Sequence, residues 1–459
     1  MDCLPKTFVT PNTNYSTRNT VQIFWFLLYN ILIVPLLFIG FHIAALFNHK
    51  IRRGIQGRGK LLQDIENAFP VLSPDEKRIL FHCASLGEFE QVKPILKRIV
   101  EVIPQCKRIV TFFSPSGYEH VGQCPYPDLA IYLPFDSLRA IRQFLNRIRP
   151  SAVIISKHDI WPNLVWALHS RRIPIFLINA TMPKDSLLLK PILRSFYRSV
   201  FSRLNFVAPA SETDRQLFSN LLSPAQQVEV IGDTRFDQVY FRSQESFQKK
   251  LLPQDLVSGH VTVCLGSTWP SDEIHLFPAV IELFKEFPNL LLIIVPHEPS
   301  PKRVEEIRRF FENTKLNVKT FSQIQEEESN SYPAVIIVDR IGILANLYSY
   351  SQIAYVGGSF GPGVHNVMEP AACGNTVLFG PRILNSPEAQ KLVELGAGAV
   401  VNSKQEVYQT LRKLLADPSA TKKKGQIAAR FIEENLGATE AIINKISSMM
   451  AKKGNRNIK

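Results

Sequence analysis

Two series of short, continuous apolar runs constrain the fold of this chain more than any other feature. Helical patterns separate the runs, and apolar runs without polar alternation are typical of parallel strands that are buried on both faces. The sequence therefore predicts an α/β fold with two doubly wound domains, which face each other across a cleft at the carboxyl ends of their sheets. The runs lie at residues 78–85, 107–114, 129–135, 152–159, 173–180, 205–211 and 228–235, and then at 260–267, 290–298, 334–340, 353–358 and 375–380.

Breaks in this rhythm predict the domain boundaries, because a chain of 459 residues is too long for one compact core. The acidic stretch 323–331 predicts a solvated insertion. The helical stretch 422–459, which has basic ends, either packs back on the first domain or faces acidic lipid headgroups. The predicted parts are a tail with an apolar helix (1–62), a first domain (63–242), a linker (243–259) and a second domain (260–459).

A long uncharged segment precedes the first domain. Residues 21–47 contain no Asp, Glu, Lys or Arg, and a helix of this length spans roughly 40 Å, more than a bilayer core requires. Pro35 is expected to kink it. Only Lys6 and Arg18 precede the segment, whereas six basic residues follow it between positions 49 and 60, so we expect the remainder of the chain in the cytoplasm. A spanning helix is favoured, a helix lying in the membrane interface stays open, and a cleaved signal peptide is disfavoured.

Charge and cysteine usage exclude several classes of partner. The net charge of +13 is compatible with nucleic acid, anionic lipid or acidic small substrates. Basic residues are not interleaved with aromatic residues in any run, so we expect no nucleic acid partner. The six cysteines lie far apart without a C-x-x-C pattern, which predicts neither disulfides nor a zinc site. The chain also lacks the D-x-D pattern of metal-held diphosphates, and we predict no metal.

A glycine-rich loop follows the apolar run at 353–356. It contains Gly357, Gly358, Gly361 and Gly363 and leads through Asn366 into a short helical pattern. Glycine amides can approach a ligand closely and the first turn of a helix attracts anions, so this layout predicts a phosphate site. The alternative is a capping box, in which Asn366 caps the helix and a glutamate three residues later binds the cap amide.

Two polar clusters follow runs of the first series. Glu88 lies where a helix is expected to start after the first run, which is where open α/β sheets hold their ligands. A capping box between Ser85 and Glu88 is the alternative. The second cluster contains Asp159, Trp161 and Pro162, for which the alternative is that Asp159 is only the N-cap of a helix.

Several of these stretches resemble the 3-deoxy-D-manno-octulosonic acid (Kdo) transferases. These enzymes add Kdo from CMP-Kdo to a lipid A precursor, work without metal, and have two Rossmann-like domains in the arrangement called GT-B. The resemblance covers roughly residues 79–382, and the stretch 357–381 (GGSFGPGVHNVMEPAACGNTVLFGP) is similar to the nucleotide-sugar signature of the family. In that signature N-x-x-E, here Asn366 to Glu369, contacts the CMP moiety.

The resemblance also implies catalytic residues. HCASLGEFE resembles the S-x-G-E of the family, in which the glutamate, here Glu88, is the catalytic base. W-P-N and one acid, Asp159, are kept at the second cluster, but Lys157 stands where the family commonly has a glutamate. GDTRFD resembles G-N-x-K-F-D, with Arg235 in place of lysine, and we expect its charge to face the carboxylate or phosphate of the donor. Ordinary surface pairing of Arg235 with Asp233 or Asp237 is the alternative.

The loops that follow strands of the second domain complete an implied nucleotide site. Their strands are parallel, so we expect the loops at one edge of the sheet. The residues of this implied nucleotide site are Ser267, Thr268, Pro296, His297, Gly342, Ile343, Leu344, Gly357, Gly358, Ser359, Asn366, Val367, Met368 and Glu369.

The resemblance predicts an inner-membrane glycosyltransferase that uses CMP-Kdo as donor and a lipid A precursor as acceptor. Its catalytic domains are expected on the cytoplasmic side, and Glu88 is expected to take the proton of the attacking hydroxyl. Leu187 and its two neighbouring leucines either dip into the membrane interface or belong to the core. The alternatives are a GT-B enzyme that uses a UDP-sugar, and a membrane-bound nucleotide-binding adaptor without activity.

Overall fold

The computed structural model describes residues 13–69, 76–183, 185–223, 226–326 and 332–454, and the chain forms two compact α/β units. Unit 1 contains Met1–Thr234 and Gly437–Lys459, and unit 2 contains Arg235–Leu436. The predicted fold class, with two doubly wound units, is confirmed. Cys3, Lys6, Lys184 and the acidic stretch beyond Glu326 lie outside the described residues.

Unit 1 is built on a parallel sheet of seven strands in the order β3-β2-β1-β4-β5-β6-β7. The chain runs outward from β1 to β3 and then returns to the other side of β1, so the β1/β4 pair is the switch point of the sheet. Side chains from both faces of the strands are buried, which explains why the runs are apolar without alternation. The strands are β1 (Arg78–Cys83), β2 (Lys107–Phe112), β3 (Leu129–Tyr132), β4 (Ala152–Ser156), β5 (Ile175–Ala180), β6 (Phe206–Pro209) and β7 (Gln227–Val228).

Helices cover both faces of this sheet. The apolar helix is continuous through a π-helical turn at Tyr29–Ile33, just before Pro35. Short 3₁₀ turns occur at Val121–Gln123 and Leu187–Leu189. The helices of this part are α1 (Thr13–Leu28), α2 (Val34–Phe47), α3 (His49–Arg58), α4 (Leu61–Ala68), α5 (Leu86–Val102), α6 (Pro115–His120), α7 (Leu138–Ile148), α8 (Pro162–Ser170), α9 (Pro191–Phe201) and α10 (Glu212–Ser219).

Unit 2 repeats the same plan, with seven parallel strands in the order β10-β11-β9-β8-β12-β13-β14 and a switch point at β8/β12. The strands are β8 (Val261–Thr268), β9 (Leu290–Pro296), β10 (Val318–Thr320), β11 (Val335–Ile337), β12 (Ile353–Val356), β13 (Thr376–Phe379) and β14 (Gly398–Val400). The helices are α11 (Thr234–Gln248), α12 (Gln254–Val257), α13 (Pro270–Leu283), α14 (Pro301–Glu312), α15 (Phe321–Glu326), α16 (Leu344–Leu347), α17 (Met368–Ala372), α18 (Pro387–Glu394), α19 (Lys404–Ala416) and α20 (Pro418–Glu433), with a 3₁₀ turn at Tyr348–Tyr350.

The last helix, α21 (Ala438–Gly454), belongs to unit 1. Its Ile442, Ile443 and Ile446 are buried against the face of the sheet that carries Phe81 and Ile154. Of the two possibilities for the C-terminal stretch, the structure therefore has the one in which it packs back on the first unit. Its basic end at 455–459 lies outside the described residues.

The units differ from the predicted domains at two further places. Residues 243–259 are not an extended linker, because α11 continues to Gln248 and both Leu252 and Leu256 are buried in the core of unit 2. Of the apolar run at 228–235, only Val228 is in a strand. Strands β10 and β14 are short and half-buried, so their sequences carry little of the continuous apolar pattern that predicts a strand.

The apolar helix contacts the rest of unit 1 through one side. Tyr29 is buried, and rings of α2 such as Phe38 and Phe41 contact Phe135. The opposite side of the helix is exposed, including Ile31 at 73% and Phe47 at 85%. Residues Thr20–Phe47 contain an 18-residue window with a mean hydropathy of 2.3 and have the length and composition of a membrane-crossing helix.

Candidate active site

Glu88 lies in the first turn of α5, immediately after the carboxyl end of β1. Its side chain is buried, and its carboxylate accepts a hydrogen bond from the backbone N–H of Ala84. The side chain of Ser85, the N-cap residue of this described helix, makes no capping hydrogen bond. The capping box that was the alternative is therefore not formed, since Glu88 binds the amide before the N-cap residue, and this backbone amide orients the buried carboxylate.

Charges from three elements act on Glu88. Burial raises the pKa of Glu88, and the hydrogen bond from Ala84 opposes that rise. The negative charge of Asp159 raises the pKa of Glu88 further, whereas the positive charges of His82 and Lys157 lower it. A carboxyl group with a raised pKa is a better proton acceptor at neutral pH than an ordinary glutamate.

Asp159 is held by hydrogen bonds and is not an N-cap, since α8 starts at Pro162 with Trp161 as its N-cap residue. The ring Nε2 of His82 lies 2.9 Å from Asp159 Oδ2, and Trp161 Nε1 donates to the same oxygen over 3.2 Å. Burial tends to raise the pKa of Asp159, but the interactions with His82, Trp161 and His158 together outweigh burial and lower the pKa. Asp159 therefore remains ionised beside Glu88.

His82 was missed by the sequence analysis. It is fully buried in β1, and its Nδ1 lies 3.1 Å from Thr111 Oγ1 of β2 while Nε2 faces Asp159. The signal was a histidine inside the apolar run RILFHC, because a buried imidazole requires polar partners. Those partners come from β2 and from the loop after β4, and their proximity depends on strand order.

Lys157 occupies an unusual backbone conformation directly after β4. Its φ is 61°, in the left-handed region that non-glycine residues seldom adopt. This conformation turns the chain sharply between β4 and Asp159. The cation of Lys157 acts on Glu88 in the direction opposite to that of Asp159, so one anion and one cation lie near the carboxyl.

The W-P-N stretch has a structural role that the sequence analysis did not foresee. The carboxylate of Asp136 accepts from the backbone N–H groups of Asn163 (2.8 Å) and Leu164 (3.0 Å), and so caps α8 from another loop. Tyr29 of the apolar helix donates to the same carboxylate over 2.9 Å. The Asn163 side chain also exchanges hydrogen bonds with Asn30. Burial raises the pKa of Asp136 to about 7, although these donors lower it.

The GDTRFD stretch is fixed to the carboxyl edge of the unit 1 sheet. Thr234 receives and donates hydrogen bonds with the Asn179 side chain and donates to the carbonyl oxygen of Gln91, and Gln91 donates to Asp233. Arg235, the first residue of unit 2, donates to Glu388 over 2.7 Å. The expected interaction of Arg235 with a donor substrate stays a prediction, and it would require Glu388 to share or release the guanidinium.

In unit 2, the predicted nucleotide-site residues follow four neighbouring strands. Ser267 and Thr268 end β8, Pro296 and His297 end β9, the loop at 340–343 follows β11, and the glycine-rich loop follows β12. These strands are adjacent and parallel in the order β11-β9-β8-β12. The prediction that the loops share one edge of the sheet is confirmed by this topology.

Two histidines, a serine and a tryptophan form a hydrogen-bonded cluster at this edge. Trp269 Nε1 donates to His365 Nε2 over 3.1 Å, so the proton of a neutral His365 is on Nδ1 and points to Ser267 Oγ at 3.2 Å. Burial and the nearby His297 lower the pKa of His365, which favours that neutral form. His297 Nδ1 lies 2.9 Å from Ser267 Oγ, and its exposed ring stacks on Trp269.

The glycine amides of the loop after β12 are satisfied within the protein, contrary to the expectation that they grip a ligand. Gly357 donates to a carbonyl oxygen of β8, Gly358 donates to Asp272, and Gly361 and Gly363 donate to the carbonyl oxygen of Gly358. Glycine is required here for space. A Cβ on Gly357 would lie 2.1 Å from the carbonyl oxygen of Ser267, and a Cβ on Gly358 would lie 2.2 Å from the imidazole carbon Cδ2 of His365.

The start of α17 retains donors. Asn366 Oδ1 accepts from the backbone N–H of Met368 over 3.0 Å, and in the described chain the backbone N–H groups of Asn366 and Val367 donate to no protein acceptor. Glu369 accepts from Arg242 over 2.9 Å. The helix ends at Ala372, and Gly374 at the C′ position has a φ of 76° and forms a Schellman motif.

Comparisons with known proteins agree with this arrangement. A family model described as 3-Deoxy-D-manno-octulosonic-acid transferase (kdotransferase) matches residues 57–238. The chain is 25% identical over 382 residues to a bifunctional glycosyltransferase/methyltransferase of Fusobacterium nucleatum. This alignment covers 82% of this chain and 58% of that protein. It is also 26% identical over 380 residues to the 3-deoxy-D-manno-octulosonic acid transferase of Haemophilus influenzae. That alignment covers 81% of this chain and 87% of that protein.

A solved structure shares the fold. The UDP-GlcNAc 2-epimerase from Neisseria meningitidis, bound to UDP-GlcNAc, is similar with a TM-score of 0.57 and 16% identity over 81% of this chain and 99% of that one. The family model matches most of unit 1, and the alignment to the Haemophilus influenzae transferase extends over most of the chain. The chain is thus similar to the 3-deoxy-D-manno-octulosonic acid (Kdo) transferases, through the family model over residues 57–238 and through relatives that align over most of its length.

Proposed function

We propose that this protein is a glycosyltransferase that moves Kdo from CMP-Kdo to a lipid A precursor (lipid IVA) in the synthesis of the lipopolysaccharide core. The reaction inverts the configuration of the transferred sugar and uses Glu88 as base without a metal ion. One observation carries the proposal: in a chain similar to the Kdo transferases, Glu88 is a buried carboxyl with a raised pKa at the switch point of its sheet.

Unit 1 supplies the base in this mechanism. The carboxylate of Glu88 takes the proton of the acceptor hydroxyl as the oxygen attacks the anomeric carbon of the donor. The ionised Asp159, held by His82 and Trp161, makes Glu88 more basic through its charge. The positive charge of Lys157 acts against this effect, because it lowers the pKa of Glu88.

Unit 2 binds the nucleotide of the donor. The free backbone N–H groups of Asn366 and Val367 are donors suited to the single phosphate of CMP, which leaves with the nucleotide. The exposed His297 is a second candidate donor at this edge, and its Nδ1 faces Ser267, so Nε2 is directed elsewhere. The glycines pack the loop against β8, which fixes the start of α17.

The apolar helix is proposed to anchor the protein in the interface of the inner membrane, with the catalytic units on the cytoplasmic side. Gln22, Trp25 and Asn30 hydrogen-bond to unit 1 on one side of the helix, whereas Ile31 and Phe47 are exposed on the other. The part of the helix that is hydrogen-bonded to this polar unit cannot cross a bilayer without bringing the unit into the hydrocarbon region. This packing favours an in-plane helix over the spanning helix that its length predicts.

The decisive experiment supplies the purified protein with CMP-Kdo and the tetraacylated lipid A precursor, and measures the mass of the product. Addition of one or more Kdo residues supports the proposal. A parallel reaction with UDP-GlcNAc and titrations with CMP and UDP separate the alternatives. A preference for UDP would favour a UDP-sugar enzyme, and nucleotide binding without transfer to any acceptor would favour the adaptor.

A further inference from the structure

A cavity of about 480 Å³ lies between the apolar helix and unit 1. Its walls are mostly apolar and include Phe38 and Phe41 of α2, Leu62 of α4, Phe135 of the β3–α7 loop and Ala140 of α7. The cavity lies beside a helix whose outer side exposes large apolar residues. At roughly 30 Å³ per group of the size of a water molecule or methylene, it has room for about 16 such groups, which is a single fatty acyl chain.

A cation at the cavity wall distinguishes this site from an ordinary packing defect. Arg58 lines the cavity, and its guanidinium donates to the carbonyl oxygens of Leu133, Gly54 and Phe113. It lies over the rings of three aromatic residues, and no carboxylate of the described chain pairs with it. A largely buried guanidinium without a carboxylate partner is suited to an anionic group of a ligand.

The cavity is also continuous with the predicted catalytic edge. Trp161 forms part of the cavity wall, and the same indole donates through Nε1 to Asp159. Phe113, which accepts the Arg58 hydrogen bond through its carbonyl oxygen, stacks on Trp161 with ring centroids 4.6 Å apart. A ligand whose acyl chain fills the cavity therefore has its headgroup close to the loop that carries Asp159.

We propose that this cavity binds one acyl chain of the lipid acceptor, with Arg58 near an anionic group of the acceptor headgroup. The inference rests on the proposed function, because it assigns the cavity to the acceptor of that reaction. It goes further in naming where the chain of the acceptor is held and which side of unit 1 the acceptor enters from. A lipid of the bilayer with no role in transfer is the competing occupant.

The first test fills the cavity and measures steady-state kinetics in mixed micelles. Ala140→Phe places a ring in the cavity from the partly exposed face of α7, and we expect a rise of about tenfold or more in KM for the acylated acceptor with an unchanged KM for CMP-Kdo. Arg142→Phe, on the exposed side of the same helix, is the matched control and should behave as wild type. An unchanged acceptor KM in the Ala140→Phe variant would overturn the proposal.

The second test does not depend on turnover. The wild-type protein in phosphatidylethanolamine vesicles is irradiated with an acceptor that carries a diazirine in one acyl chain, and cross-linked peptides are identified by mass spectrometry. Cross-links to α2, α4 and α7 that unlabelled acceptor competes away support the proposal. Cross-links from a diazirine phospholipid that excess acceptor does not reduce would assign the cavity to bilayer lipid and overturn it. If wild-type protein transfers no Kdo but shows competed cross-links, the proposed reaction fails while the acyl site stands.

Discussion

Replacing Glu88 by glutamine tests the proposed base most directly. The amide oxygen of glutamine can still accept the backbone N–H of Ala84, which is the hydrogen bond that orients the carboxylate. What is lost is the ability to take a proton at neutral pH. A positioned general base contributes about 10²- to 10⁴-fold in rate, or about 3–5 kcal/mol of activation free energy. We expect kcat for Kdo transfer to fall by that factor and KM for CMP-Kdo to change little.

The same variant should not be less stable at neutral pH. Burial raises the pKa of Glu88 in the folded protein, so the stabilisation that this carboxyl provides is fully present below its ordinary pKa and is lost as pH rises through the folded-state pKa. Glutamine does not titrate. The weaker, neutral hydrogen bond to Ala84 costs about 1 kcal/mol, and relief from burying a charge offsets that cost above the folded-state pKa. The thermal midpoint of Glu88→Gln relative to wild type should therefore be higher at about pH 8 than at about pH 5.

The assay measures CMP release and product mass together, with Glu90→Gln as the control. Glu90 lies two residues further along α5, is partly exposed and pairs with Lys93, so its loss should leave turnover unchanged. Wild-type turnover by a folded Glu88→Gln variant would refute the assignment of the base. A large fall in both variants would point to damage in α5 and not to loss of the base.

Three further predictions concern residues around both sites. Gly357→Ala brings a Cβ within 2.1 Å of a carbonyl oxygen of β8 and should reduce the free energy of unfolding by about 1–3 kcal/mol. The control Gly122→Ala adds its Cβ in open space and should leave the free energy of unfolding unchanged, so equal urea midpoints of the two variants would contradict the prediction. Lys157→Gln removes a charge that lowers the pKa of Glu88, so the acidic limb of kcat/KM should move to higher pH, and an unmoved limb would exclude that electrostatic role. Asn163→Ala removes buried hydrogen bonds to the apolar helix and to the β3–α7 loop and should cost about 1–3 kcal/mol of stability in detergent, measured by thermal unfolding; wild-type stability would contradict the structural role of W-P-N.

The sequence predicts the strands well because a strand that is buried on both faces has a continuous run of apolar residues. Continuous apolar runs coincide with the strands that are buried on both sides, and the polar residue that follows such a run is at the carboxyl edge, as Glu88 is. Strand order is not visible in the same way, because it depends on how helices pack on each face. The contact between His82 in β1 and Asp159 after β4 exists only because those two strands are adjacent, and so the sequence analysis found the acid but not its partner.

The glycine-rich loop shows a different limit of sequence reasoning. A glycine that avoids a clash and a glycine that offers its amide to a ligand are identical in sequence. Gly358 donates to Asp272, which lies in the first turn of α13 and far from the loop along the chain, and that acceptor cannot be inferred from the loop. The phosphate site could therefore be predicted for this edge of the sheet, but its donors are better assigned to Asn366 and Val367 than to the glycines.

The apolar helix and the predicted base belong to one folded structure in unit 1, which follows from the way α8 is capped. The first turn of a helix needs acceptors for its backbone amides, and α8 has no side-chain cap of its own and uses Asp136 from the β3–α7 loop. Tyr29 donates a further hydrogen bond to that carboxylate, and the Asn163 side chain donates a hydrogen bond to Asn30. Withdrawing the apolar helix leaves these buried polar groups exposed or unpaired at about 1–3 kcal/mol each. Since α8 begins directly after the loop that holds Asp159, deleting the apolar helix should destabilise unit 1 and disturb the proposed catalytic edge together.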